Sequence, residues 1–332
     1  MDKEKIIQAG KIAKEVKEWI KPQIKNETSL LEIAEKIENK IIELEGKPAF
    51  PTNLSINEVA AHYTPSHDDK TKAHGLLKVD FGAHIDGWCS DTAFSVDLEN
   101  SDENKKLIQA SEDALASAIN LIKTSGNKNN EKFLQQKGER SEGEVGNVGQ
   151  FGEGKKFSKS KKILTSQIGK IIQETISSQK FQPIINLSGH EINEYDLHAG
   201  LTIPNFDNKS NDEIENGLYA IEPFATLSTG TGKVKDGKPS GIYQLIEERN
   251  IRSPLAREIL NFIIEEYQTL PFCSRWLVKK FGTKALLALN QLEQNGNLHQ
   301  YAQLIESSGA KVSQAENTIF IDENGEKIIT TD

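Results

Sequence analysis

The sequence is poor in the features that mark disulfide-rich, membrane-spanning or nucleic-acid-binding proteins. Its 332 residues include two cysteines, Cys89 and Cys273, which are too few for a disulfide framework or a cysteine-rich zinc site. No stretch approaches the roughly 18 apolar residues of a membrane span, and the N-terminal MDKEKIIQAG lacks a signal-peptide apolar region. Acidic residues outnumber basic ones by 49 to 40, which argues against a DNA-binding protein. We therefore expect a cytoplasmic protein with no membrane segment.

Hydrophobic periodicity predicts a mixture of helices and strands. Helices are predicted over residues 3–20, 30–45, 103–123, 163–178 and most of 253–308, and strands over 182–187, 217–226 and 241–248. Asp86-Gly87 and Asn324-Gly325 predict the turns of two hairpins. Because helices and strands do not alternate strictly, the pattern favours one α+β domain over residues 1–332, with a helical addition near its end.

One segment, residues 125–162, has almost no periodicity. It holds seven glycines and eight lysines, with nine basic against five acidic side chains. This composition predicts a low-complexity, disordered insertion. A surface loop is one interpretation of it, and an electrostatic tether to ribosomal RNA is the other.

The first predicted hairpin brings two acidic residues near each other. A two-residue turn at Asp86-Gly87 pairs residue 80 with residue 93, which makes Asp80 and Asp91 diagonal neighbours on one face. Diagonal neighbours lie about 7 to 8 Å apart, within reach of a common cation. Two carboxylates pointing inward from apolar strands would need such a counter-charge. The alternative is that one or both point to solvent.

Other acids and histidines also occur in strand-like sequence. His190 lies just after a predicted strand and His198 eight residues later, Glu222 lies in the middle of apolar LYAIEPFAT, and Glu316 opens the strand ENTIFI. Four carboxylates and one imidazole are a ligand set that suits a pair of divalent ions, and such pairs activate a bridging water. Spacing alone leaves open whether these residues meet, since a lone glutamate in a strand is often an edge or surface residue.

Five motifs of the chain resemble type II methionine aminopeptidases of the archaeal kind, in subfamily A of peptidase family M24. They are PAFPTNLSINEVAAHYTP, VDFGAHIDGWCSDTAFSV, NLSGHEINEYDLHAG, AIEPFAT and the strand of Glu316. The resemblance covers nearly the whole chain apart from residues 125–162. It implies the pita-bread fold, which is a pseudo-symmetric curved antiparallel sheet with helices on its outer face. Type II members add a helical subdomain before the last ligand strand, which residues 250–310 would supply.

The resemblance also implies a site for two metal ions. Its ligands would be Asp80, Asp91, His190, Glu222 and Glu316, with Asp91 and Glu316 bridging both ions, and all five are present in the sequence. An oxygen-rich site with one imidazole accepts Co, Mn, Fe or Zn. We therefore expect two divalent ions per chain without a preferred element.

The same resemblance assigns substrate-contacting residues. His62 and His198 would contact the substrate and act in catalysis, and Glu222 would also move a proton. One imidazole can donate to the scissile carbonyl as it becomes an oxyanion, and another can hold the departing peptide nitrogen. Phe50, twelve residues before His62, takes the place of the family's pocket phenylalanine. Further pocket candidates, which could equally be ordinary core residues, are Leu197 and Ile242.

These features together predict a methionyl aminopeptidase. A metal-bridging hydroxide would attack the scissile carbonyl and release the initiator methionine of nascent proteins whose second residue is small. The expected partners are the nascent chain and, transiently, the ribosome, and the family precedent is a monomer. An Xaa-Pro aminopeptidase or prolidase on the same fold is one alternative, and a non-catalytic ribosome-associated pita-bread protein is the other. AAHYTP, NLSGHEI and the helical segment favour the first prediction over the proline-directed enzymes, and no ligand is lost, as the non-catalytic alternative would require.

Overall fold

A computed structural model describes residues 1–125 and 163–332 of the chain. The insertion predicted at 125–162 therefore lies outside the described residues, apart from Ser125. The helices are α1 (Lys3–Ile20), α2 (Leu30–Glu43), α3 (Asp102–Thr124), α4 (Thr165–Ser178), α5 (Pro254–Glu266), α6 (Ser274–Phe281) and α7 (Lys284–Gln294), with a short 3₁₀ turn at Lys21–Gln23. Within the described ranges, none of these helices is long and apolar enough to span a membrane.

The strands are short, and all of their pairings are antiparallel. In chain order they are β1 (Lys47–Pro48), β2 (Asn53–Ile56), β3 (Val59–Ala61), β4 (Leu76–Phe81), β5 (Ala83–Ile85), β6 (Trp88–Cys89), β7 (Thr92–Asp97), β8 (Ile163–Leu164), β9 (Gln182–Pro183), β10 (Ser188–Asn193), β11 (Asp196–Pro204), β12 (Glu213–Ile214), β13 (Gly217–Ile221), β14 (Phe224–Thr226), β15 (Val234–Leu245), β16 (Phe272–Cys273), β17 (Leu298–Glu306), β18 (Val312–Gln314), β19 (Asn317–Ile321) and β20 (Lys327–Ile329).

In the first half of the chain, α1 and α2 pack on the sheet β2–β4–β7. Val16 of α1, Ile37 of α2 and Val79 of β4 are fully buried in one core. Because successive strand residues point to opposite faces, the neighbour Asp80 points away from these helices. The side chain of Asp80 is thereby directed toward the second half of the molecule.

The second half repeats this arrangement. Helices α3 and α4 pack on the five-stranded sheet β11–β10–β13–β19–β20, with Ile172, Tyr219 and Ile319 buried between them. A single antiparallel bridge, Ala93 to Glu316, connects the two sheets. Two helix pairs on antiparallel sheets give the pseudo-symmetric pita-bread fold that the motifs predicted.

Helices α5, α6 and α7 form a separate apolar core after β15, and we call residues 254–294 the helical segment. The helical prediction for 253–308 is wrong over its last part, because Leu298–Glu306 is the strand β17. The chain leaves α7 through Gly296, whose φ of +76° suits glycine and ends the helix. Strand β17 then pairs with both β15 and β3, which joins the helical segment to the rest of the fold.

Prolines explain two corrections to the predicted strands. The strand predicted at 217–226 is interrupted at Glu222, since the following Pro223 has no N–H to donate to a ladder. The strand predicted at 182–187 ends at Pro183 and belongs to a three-stranded sheet with β14 and β18.

Two further predicted elements have different bounds. The strand predicted at 241–248 lies in the longer β15, which begins at Val234 and ends at Leu245. The helix predicted at 163–178 begins at Thr165, because Ile163–Leu164 pairs with β12 instead.

Candidate metal centre and substrate pocket

The five predicted metal ligands come from both halves of the fold. Asp80 lies in β4 and Asp91 in the break between β6 and β7, whereas Glu316 directly precedes β19. His190 lies inside β10 and not after a strand as predicted, and Glu222 lies in the break between β13 and β14 and not in mid-strand. Strand breaks free the backbone to turn a side chain out of the ladder, which suits ligands that converge from different strands.

The structure brings all five side chains together in two overlapping groups. Ligand atoms of Asp91, His190 and Glu316 lie within 4.8 Å of one another, and so do those of Asp80, Glu222 and Glu316. His190 Nε2 is 3.6 Å from Asp91 Oδ2. Glu316 belongs to both groups, so the two clusters share a carboxylate.

Three carboxylates of this cluster, Asp80, Asp91 and Glu316, are buried, and Glu222 is half-buried. None of the four forms an ion pair with a lysine or arginine of residues 1–125 or 163–332. Burial, together with the charges of neighbouring carboxylates, raises the pKa of Asp80, Glu222 and Glu316 well above their ordinary values. Asp80 Oδ1, Asp91 Oδ1 and both carboxylate oxygens of Glu316 accept no hydrogen bond from residues 1–125 or 163–332. Buried anionic oxygens without donors are costly unless a cation coordinates them. The donor set therefore fits hard or borderline divalent ions.

Gln314 is a polar neighbour of the cluster that the sequence analysis missed. Its Nε2 donates hydrogen bonds to Asp80 Oδ2 at 3.2 Å and to Glu222 Oε1 at 2.8 Å. Its backbone exchanges two hydrogen bonds with the hydroxyl of Ser95. The only available signal was its position two residues before Glu316, which places both side chains on one face of an extended chain.

The two predicted substrate-contacting histidines lie beside this cluster. Burial lowers the pKa of His62, and its Nδ1 is 3.2 Å from the carbonyl oxygen of Ala302. Although His198 reaches solvent, the protein packed around its ring lowers its pKa well below 6.5, and nearby His190 lowers it further. The rings of His190 and His198 are 4.4 Å apart. Both His62 and His198 are therefore neutral at pH 7.

A cavity of about 210 Å³ opens onto the cluster. It is lined by both histidines and by the apolar candidates Phe50, Leu197 and Ile242. The sequence analysis missed another lining residue, Tyr301, whose ring lies 5.5 Å from that of His62 and whose hydroxyl donates to Gln244 Oε1. The cavity thus combines apolar walls with polar groups at the carboxylate cluster.

Comparison with known proteins places the chain in a family. The profile of metallopeptidase family M24 matches residues 4–132. The chain is 43% identical over 330 residues to the methionine aminopeptidase of Methanocaldococcus jannaschii, with 98% of each chain covered. This chain belongs to the methionine aminopeptidases. Among the three functions considered from the sequence, this membership agrees with the first.

Solved structures with little sequence identity share the fold of this methionine aminopeptidase family member. A thermophilic Arx1 superimposes with a TM-score of 0.77 at 17% identity, over 98% of this chain and 90% of that one. The methionine aminopeptidase of Thermotoga maritima gives a TM-score of 0.62 at 19% identity, over 99% and 96% of the two chains. The pita-bread fold predicted from the motifs is confirmed.

Proposed function

We propose that this chain is a metal-dependent methionyl aminopeptidase that removes the N-terminal methionine of nascent proteins when the second residue is small. The observation that carries the proposal is the convergence of four carboxylates, three of them buried, and one imidazole beside a cavity with apolar walls. We further propose that it works as a cytoplasmic monomer that meets its substrates transiently at the ribosome.

The metal ligands in this proposal are Asp80, Asp91, His190, Glu222 and Glu316, with Asp91 and Glu316 shared by two divalent ions. The position of Glu316 in both side-chain groups supports its shared role, and Asp91 belongs to the group with His190 and Glu316. Cobalt, manganese, iron and zinc all suit such a donor set. Bound ions would polarise the scissile carbonyl and lower the pKa of water so that it can act as a nucleophile at neutral pH.

The two histidines take different hydrogen-bonding roles. Because a carbonyl oxygen only accepts, the contact with Ala302 places the proton of neutral His62 on Nδ1. Nε2 of His62 is then an acceptor, and it can hold the N–H of the scissile peptide bond. The remaining role, donating to the carbonyl oxygen as negative charge develops, falls to His198.

Glu222 supplies the proton transfer in this mechanism. As a metal ligand Glu222 would be ionised, and an ionised carboxylate beside the cavity can act as a general base. Its Oε1 is held by Gln314 at 2.8 Å. Glu222 can therefore take a proton from the nucleophilic water and deliver it to the departing amine.

Peptide competition tests the function. The protein, purified anaerobically and reconstituted separately with each of the four metals, is offered Met-Ala-Ser and an Xaa-Pro peptide. Because the apolar walls at Phe50, Leu197 and Ile242 suit a thioether side chain, we expect free methionine and no Xaa release. Cleavage of the Xaa-Pro peptide alone would support a prolidase-like enzyme, and no cleavage with any metal would support a non-catalytic protein.

Replacement of either histidine should separate catalysis from metal binding. We expect His62→Ala and His198→Ala each to lower kcat/KM by about 10² to 10³-fold, the usual cost of losing one transition-state hydrogen bond. Metal content, measured by atomic emission, should stay at the wild-type level. His74→Ala is the control, since His74 is exposed and its hydrogen bond within the described part of the chain is to the carbonyl of Lys72. A His62 variant with wild-type kcat/KM would contradict the assigned role.

Gln314→Met should weaken metal binding without removing a ligand. The substitution keeps the length of the side chain but removes the donor that orients Asp80 and Glu222. Loss of a hydrogen bond to a metal-ligating side chain typically lowers metal affinity by about 10 to 100-fold. Competition with a fluorescent chelator measures the change. Gln109→Met on the exposed face of α3 is the control, and equal affinities of the two variants would contradict the prediction.

A further inference from the structure

An enclosed ion pair lies where the helical segment meets the rest of the fold. Arg275 of α6 and Glu38 of α2 are 3% and 5% exposed. They form a two-pronged contact, with Arg275 Nη1 and Nη2 donating to the two oxygens of Glu38 at 2.6 and 2.8 Å. The indole Nε1 of Trp276 donates to Glu38 Oε2 at 2.8 Å. Both charges are thus paired and further hydrogen-bonded inside the protein.

The same pair also bonds two segments that carry pocket residues. Glu38 Oε1 accepts from the backbone N–H of Thr52 at 3.2 Å, two residues after Phe50 of the cavity wall. Arg275 Nε donates to the carbonyl oxygen of Pro65 at 3.0 Å, three residues after His62. One ion pair therefore fixes the backbone close to two residues that line the cavity, Phe50 and His62.

The backbone at His62 needs such support. His62 has a φ of +64°, a left-handed conformation that is strained for a residue with a side chain. Before His62, Ala61 of β3 pairs with Leu304 of β17, and after it, Pro65 is held by Arg275. Constraints on both sides keep the imidazole in one orientation.

Stability alone is a poor explanation for this pair. Replacing a buried ion pair by apolar residues of similar volume is often neutral or stabilising, because both charges lose their hydration on burial. The planar guanidinium offers what an apolar pair lacks, namely several donors in a rigid fork. Here the guanidinium of Arg275 binds Glu38 of α2 and the carbonyl of Pro65. Glu38 in turn accepts from the backbone of Thr52, so the pair connects α2, α6 and both pocket segments.

We propose that Glu38 and Arg275 are positioning residues that set the spacing between the Phe50 wall and His62 in the substrate pocket. This inference rests on the proposed aminopeptidase function. The helical segment then acts on the reaction through Arg275, although Arg275 does not line the cavity.

The test compares Arg275→Lys with Leu292→Ala. Lysine keeps the positive charge but loses the fork. Leu292 is fully buried in the core of the helical segment and is not one of the hydrogen-bond partners that the described residues provide to Glu38 and Arg275. Urea unfolding first establishes conditions in which both variants are folded. Then kcat and KM are measured with Met-Ala-Ser and with its norleucine counterpart, and amide hydrogen exchange is followed over residues 49–53 and 61–66.

We expect Arg275→Lys to lower kcat/KM by about 100-fold, the effect of a displacement of about 1 Å at a reacting group. The loss should appear both in KM, through the Phe50 wall, and in kcat, through His62. Exchange protection should fall in both segments, most at the amide of Thr52. Glu38→Gln, which keeps the shape of the acceptor, should retain more activity than Arg275→Lys, and Leu292→Ala should keep wild-type kinetics.

Two results would overturn the inference. The first is wild-type kinetics and exchange in Arg275→Lys, and the second is an equal loss of activity in Leu292→Ala, which would show general loosening of the helical segment. Failure of the proposed function looks different, because the wild-type protein would then release no methionine. Hydrogen exchange would still show in that case whether the ion pair holds the two segments.

Discussion

Asp91→Asn should lower kcat/KM for Met-Ala-Ser by more than about 10³-fold. Removing a single oxyanion donor already lowers kcat by about 10² to 10³-fold, and Asp91 is proposed to bind the metal ions directly. Its side chain lies in the group with His190 and Glu316, and its Oδ1 accepts no hydrogen bond from the part of the chain that the structure describes. Asparagine keeps the shape but has no negative charge and one fewer anionic oxygen. We expect the variant to lose both ions, since Asp91 is proposed to bridge them.

Asp86→Asn is the matched control for this variant. Asp86 lies at the tip of the same hairpin, its side chain is 71% exposed, and its partner is Lys5 at 3.0 Å. The two substitutions change the same charge on the same element, so only the position relative to the cluster differs. Metal content and kcat/KM are measured for both after dialysis against equal metal. An Asp91→Asn protein that held two ions and kept its activity would refute the ligand assignment.

The hairpin shows how far local sequence rules reach. The Asp86-Gly87 signal predicted a two-residue turn, and the register of Ile85 with Trp88 and of Asp80 with Ala93 confirms it. Turn type fixes register, and register fixes which residues share a face. Local rules were therefore sufficient to place two acids side by side.

Long-range pairing explains why the remaining ligands could not be placed from spacing. His190 and Glu316 reach the hairpin only because β10, β13 and β19 pair in that order and Glu316 bridges Ala93. No periodicity encodes the pairing of β13 with β19, which are more than 90 residues apart in sequence. The family resemblance supplied that information, since it matched motifs along nearly the whole chain.

The buried polar residues that support the site could not be predicted from the sequence for a related reason. Glu38 and Arg275 are 237 residues apart in sequence, and each alone is typical of a solvent-exposed helix face. Gln314 likewise resembles any polar residue near a strand. Their importance arises from burial, which depends on the complete packing of the helical segment and of β18 against the first half.

Metal removal should cost stability, and the cost should grow with pH. Burial and neighbouring carboxylates raise the pKa of Asp80, Glu222 and Glu316 above the ordinary values of 3.8 and 4.5. In the metal-free protein these groups hold protons that the unfolded chain releases, so their contribution to the free energy of unfolding is present at low pH and is lost as pH rises through the raised pKa values. Metal ions require ionised ligands and displace these protons.

The measurement is the difference in free energy of unfolding, from urea titrations, between metal-loaded and chelator-treated protein at pH 6 and pH 8. At a free metal concentration 100 times the dissociation constant, one site stabilises by about 2.7 kcal/mol, and each proton displaced adds up to about 1.4 kcal/mol per pH unit. His62 and His198 titrate in both forms, so their contributions largely cancel in the difference. Five hydrogen bonds lower the pKa of Glu306 to about 2. Its ionised form therefore stabilises the fold at pH values above the ordinary carboxyl pKa, and this contribution is lost only as pH falls through the lowered pKa. Raised pKa values and metal ligation together require the difference in free energy of unfolding between the two forms to be larger at pH 8 than at pH 6. An equal difference at both pH values would show that metal binding does not release protons from the carboxylates.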